Sequence, residues 1–73
     1  MIKINGERWR VLNVSPTHPS LYTGDHYALG MCNDRTKTVY INRDLNNHYY
    51  KKVLAHELTH AAMFSYNVYL DYY

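Results

Sequence analysis

A single cysteine, Cys32, excludes an internal disulfide, so nothing in the chain calls for an oxidising compartment. There is no internal repeat and no low-complexity stretch. Charge is also scarce: the net balance is +2, and the basic residues are scattered apart from the pair Lys51 and Lys52. That is too weak a field to argue for nucleic acid, whose binders concentrate cations on one face. No apolar run approaches the length of a membrane span. The first residues do not read as a secretory signal either, because Lys3, Glu7, Arg8 and Arg10 interrupt every apolar stretch. The cytoplasm is the default location, with no membrane partner expected.

What is present is the composition of one small globular domain. Of 73 residues, 47% are hydrophobic and 19% charged. A domain of this size buries only about 60% of the surface its unfolded chain exposes. Its thin core leans on a metal, a partner subunit or a longer parent chain. Residues 1–73 therefore read as a single domain, one that a longer parent chain could extend at the C-terminus. Nine of the residues are tyrosines, and Tyr69, Tyr72 and Tyr73 crowd the C-terminus. Rings of this kind pack an apolar body while the hydroxyl needs a partner, so a second molecule or further residues are expected to cover them.

The order of elements is strands first and one long helix last. Ile2, Ile4, Trp9 and Val11 alternate with polar residues around Asn5-Gly6. Asn-Gly suits the two positive-φ positions of a type I′ turn, so residues 2–14 are expected to form a β-hairpin. Pro16, Pro19 and Gly24 mark residues 15–25 as a loop. Strands are expected at 27–33 and 36–42, joined by the turn-forming Asn33-Asp34-Arg35-Thr36. Asp44, Asn46 or Asn47 can cap a helix running from about His48 to Tyr66, with Asn67 in the left-handed position that ends it. The patterning predicts an α+β fold, an antiparallel sheet of about four strands packed on one long C-terminal helix. Val53, Leu54, Leu58 and Ala61 should hold that helix to the sheet.

The chemistry is concentrated in His56-Glu57-Leu58-Thr59-His60. On a helix, residues four apart share one face about 6 Å apart along the axis. Two imidazoles at that spacing can bind one zinc ion, and the intervening glutamate can hold the attacking water as general base. Glu57 is accordingly the candidate catalytic residue, His56 and His60 the candidate zinc ligands. The bland alternative, a helix with two solvated histidines, leaves a glutamate between them with no charge to oppose.

With these residues in view, the chain resembles the small zincin-type metallopeptidases of phages and mobile elements, the ImmA/IrrE-like group. The resemblance runs through "KINGERWRV", "YALGMCNDRTKTVYIN" and "KKVLAHELTHA", of which only the last is specific. It implies a minimal zincin-like fold, a Zn2+ cofactor and hydrolysis of a peptide bond in a protein or peptide substrate, often a regulatory protein. It further implies substrate laid along an edge strand near Val39, Tyr40 and Ile41.

Such enzymes need a third protein ligand. The metzincin pattern is absent, because Met63 and Tyr66 stand where its glycine and histidine would fall. Asp71 is the only acidic residue after the motif and is the candidate. A second copy of the chain, in a homo-oligomer, is another source. His48 lies about 12 Å from His56 along a continuous helix, too far for the same ion. His18 and His26 read as loop histidines, Cys32 as a packed strand residue, Tyr40 and Tyr66 as core or rim aromatics, Lys51 and Lys52 as a solvated helix face. Two further functions stay in view. One is a zincin-like binding module that holds a protein partner through exposed tyrosines without turnover. The other is a nucleic-acid binder, which the low charge disfavours.

Overall fold

The computed structural model describes residues 1–67. Asp71, Tyr69, Tyr72 and Tyr73 lie outside the described residues. Four strands and one long helix form an α+β fold: β1 (Ile2–Ile4), β2 (Glu7–Val14), β3 (Gly30–Asn33), β4 (Thr38–Asn42) and α1 (Asn47–Ser65), with a short 3-10 turn at Pro19–Leu21. The Asn5-Gly6 turn has φ of 50° and 80°, the two positive values a type I′ hairpin requires.

The sheet order is β1-β2-β4-β3, and the sheet is mixed rather than wholly antiparallel. β1 pairs antiparallel with β2, and β3 antiparallel with β4, as the two hairpins require. But β2 and β4 run parallel, with Arg10 opposite Thr38 and Val14 opposite Asn42. Residues 15–29 carry the chain back so that β3 forms the outer edge and β4 is inserted beside β2. β4 is therefore an interior strand, which corrects the expectation that Val39, Tyr40 and Ile41 offer an edge to substrate. Val39 and Ile41 are fully buried, and the edge on this side of the sheet is β3. The third strand is also shorter than its composition suggests: Tyr27 makes only an isolated bridge to Tyr22, and regular pairing begins at Gly30.

The register puts Trp9, Val11, Asn13, Val39, Ile41, Gly30 and Cys32 on the face that meets α1. Trp9, Val39 and Ile41 form the core with Ala61 of the helix, and Val53, Leu54 and Phe64 pack around them. Burying such side chains contributes roughly 1.5–3 kcal/mol each. Leu58 is only half-buried and sits outside this core cluster, so Phe64 takes the place expected of it.

Both ends of α1 are fastened. The Asn46 side chain caps the first turn by accepting from the Tyr49 backbone N–H at 3.0 Å. The Tyr50 hydroxyl donates to the Asn13 side chain on β2. At the far end, Trp9 Nε1 donates to Ser65 Oγ at 2.7 Å and Asn5 Nδ2 to the Ser65 carbonyl at 2.9 Å. Asn67 follows with φ of 58°, the left-handed residue that stops the helix. On the opposite face of the sheet, His18 stacks on Tyr40 with ring centroids 5.8 Å apart.

Candidate active site

The motif lies in the third and fourth turns of α1, and the helix rotates its three polar residues to different depths. His56 is exposed and His60 half-buried. Their Nε2 atoms approach to 3.1 Å, with the rings edge to face at 81°. A tetrahedral ion about 2.05 Å from each of two imidazole nitrogens sets those nitrogens roughly 3.3 Å apart. The pair thus already has the bite of a single zinc. Among the described residues, no group of three or more His, Cys, Asp and Glu converges on one point, so the expected ligands His56 and His60 stand there without a third.

Glu57 turns the other way, inward against the sheet, and keeps only 8% of its surface. Its carboxyl group is held above the usual carboxylate range, first by burial. The neighbouring His60 and His56 pull it back down, and no hydrogen bond from another described residue contributes. A carboxyl group desolvated in this way is a stronger base than one in water, while the imidazoles keep its ionised form accessible.

The space in front of Glu57 is a cleft of about 260 Å³ lined by Gly30, Met31, Cys32, Glu57, His60 and Phe64. It opens between the helix and β3, one strand further out than the expected position beside residues 38–42. The cleft therefore has one polar corner, Glu57 and His60, and an apolar wall from Met31 and Phe64. Cys32 sits in that wall as a half-buried packed thiol, as its strand position suggested. Its thiol is pushed up to about 12 by burial first, then by the negative charges of Glu57 and Asp34, with Lys37 opposing.

The remaining candidates stay apart from this site. His18 caps the 3-10 turn by accepting from the Ser20 N–H at 3.1 Å. His26 pairs with Asp25 and Thr23 on an exposed loop. His48 lies edge-on to Tyr49 at the start of the helix, and Tyr66 is exposed beyond its end. Tyr40 belongs to the opposite face. Sequence reasoning missed Gly30, whose Cα lies directly beneath Val53 and Glu57. The available signal was a glycine inside a strand pattern, which marks close approach of another segment.

A peptidase family model, described as the IrrE N-terminal-like domain, matches residues 11–71 and so runs from within β2 through α1 with the whole motif. No curated protein and no solved structure matches the chain. Among the described residues no helix is long and apolar enough to cross a membrane.

Proposed function

This chain belongs to the IrrE N-terminal-like peptidase family, and we propose that it is a zinc-dependent metallopeptidase hydrolysing a peptide bond in a protein substrate. The observation that carries the proposal is the division of labour within one helical turn: two imidazole nitrogens 3.1 Å apart at the rim and one buried carboxylate facing the cleft beside them. His56 and His60 would hold the ion through Nε2, each keeping its proton on Nδ1. Asp71 remains the proposed third ligand. A bound zinc supplies Lewis-acid polarisation of the scissile carbonyl and lowers the pKa of water.

Glu57 has the protein's share of the chemistry. Its carboxylate accepts the proton of the attacking water and returns it to the departing amine. Burial raises its basicity above that of a solvated carboxylate, which favours accepting that proton. The substrate enters as an extended segment along β3, the outer strand of the sheet among the described residues, adding one strand beside Gly30–Asn33. Main-chain bonds hold it there, and the wall of Met31 and Phe64 receives a side chain from it.

Metal content and turnover together test this reading. The purified parent chain should carry about one zinc, His56→Ala and His60→Ala should lose it, and Glu57→Gln should keep it while losing hydrolysis. A Glu57→Gln variant that cleaves at the parent's rate would refute the mechanism. Zinc retained by both histidine variants would refute the ligand assignment.

A further inference from the structure

Gly30 is the first residue of the edge strand β3 and pairs with Ile41 of β4. That register turns the position a side chain would occupy toward α1. A Cβ placed on Gly30 would stand 2.6 Å from Val53 Cγ1, 3.0 Å from Glu57 Cγ and 3.2 Å from Glu57 Oε2. Its φ is not in the left-handed region, so the backbone would accept any residue. Space above the strand is what the position requires to be empty. Two different side chains fill it: Val53, which packs on the core, and Glu57, whose carboxylate faces the cleft.

We infer that Gly30 is a positioning residue, whose missing side chain forms the floor on which the Glu57 carboxylate rests in the cleft. The inference rests on the peptidase reading for its catalytic consequence, but the placement of the carboxylate stands without it. Glu57 Cγ lies midway along the side chain, so a methyl group at position 30 cannot be avoided by moving the carboxylate alone. The Glu57 side chain must give by a few tenths of an ångström, through its χ angles or by a shift of α1 from β3. Val53 is β-branched and stiff at χ1, and resists the same methyl group. The two contacts are separable, because truncating Val53 to alanine removes the Cγ1 atom and leaves the Glu57 contacts in place.

The chain contains two glutamates, Glu7 and Glu57. Glutamate labelled with 13C at the δ-carboxyl therefore gives two resonances, and Glu7→Gln identifies which is which. The experiment compares the full-length parent, Gly30→Ala, Val53→Ala and the double variant Gly30→Ala/Val53→Ala. Zinc per chain, the two resonances, and kcat and KM on a quenched-fluorescence peptide pool are measured for each. The expected result is a Glu57 resonance displaced in both variants that carry the Gly30→Ala substitution, with Glu7 unmoved and zinc content unchanged. In those two variants kcat should fall at least tenfold with KM held. Val53→Ala alone should leave the resonance and kcat near the parent's values. If Gly30→Ala does not fold, the double variant, relieved of the closest contact, decides the matter. A double variant with the parent's Glu57 resonance and kcat would overturn the inference, since Gly30 would then serve only the packing of Val53. Absence of cleavage by the parent would count against the peptidase reading, while the resonance would still decide the role of Gly30.

Discussion

Helix α1 meets the sheet in two ways, one strand apart. Over β4 and β2 it closes on Trp9, Val39 and Ile41, and all three are fully buried with Ala61. Over β3 it also comes close, with Val53 and Glu57 directly above Gly30, but a cleft of about 260 Å³ opens beside them. The same helix and adjacent strands of one sheet make both regions, so secondary structure does not separate core from site. The contents do. On the core side every polar group that descends finds a partner, as Trp9 Nε1 finds Ser65 Oγ. On the cleft side Glu57 descends to nearly the same depth, opposed only by imidazoles at a distance. A thin core that stabilises the fold adjoins a desolvated carboxylate whose burial works against stability and which, in the proposed function, supplies the chemistry.

Four substitutions or measurements break or sharpen this contrast. The largest effect is expected from Glu57→Gln. It should lower kcat by about 10²–10⁴, the usual contribution of a general base, in a peptide-hydrolysis assay with zinc content unchanged. The same variant should melt higher than the parent when both are metal-free, because it removes a buried carboxylate without hydrogen-bond partners; the gain should be about 1 kcal/mol. A lower melting temperature would mean that the carboxylate belongs to the core.

Trp9→Ala strikes the other region. It should cost about 3–5 kcal/mol in urea denaturation, a large part of the stability of any domain this small. It also deprives Ser65 of its indole partner.

Cys32 lies on the boundary. With its thiol pushed up to about 12, alkylation by iodoacetamide at pH 8 should be on the order of 10³ slower in the folded chain than in urea. Mass spectrometry of the two time courses checks this. The folded state favours the protonated thiol, so this contribution to stability is complete below about pH 8.5, the unfolded value. It is lost as pH rises from there toward about 12. Cys32→Ser should flatten that alkaline decline.

The smallest effect is expected from Tyr50→Phe, which removes only the hydroxyl bond to Asn13 at the solvated margin. It should cost about 0.5–1.5 kcal/mol and leave zinc binding intact.

Local features of the chain were legible before the structure. The Asn5-Gly6 turn, a cap at one of Asp44, Asn46 and Asn47, the stop at Asn67 and the extent of α1 follow from backbone chemistry within a few residues; all are present, with Asn46 as the cap. The motif could be placed on a helix for the same reason. What was not legible depends on partners distant in sequence. Alternation in β2 and β4 says which side chains share a face but not which strand lies beside which. The parallel pairing of β2 with β4, and hence the interior position of Val39, Tyr40 and Ile41, could not be read from it. The depth of Glu57 is hidden for a related reason. The residue is polar, and its burial is set by Gly30, 27 positions earlier, passing beneath it.

Ser65 joins the end of the helix to residues 5 and 9, with 60 and 56 positions between donor and acceptor. Contacts of such range are expensive to form early, because the closure entropy of the long intervening loop comes before any reward. These bonds hold the last turn of the helix, just beyond His60, to the first hairpin. A fragment holding the motif without the first nine residues would keep the Tyr50–Asn13 bond and the packing on Val39 and Ile41 but lose the tether at the far end of the helix.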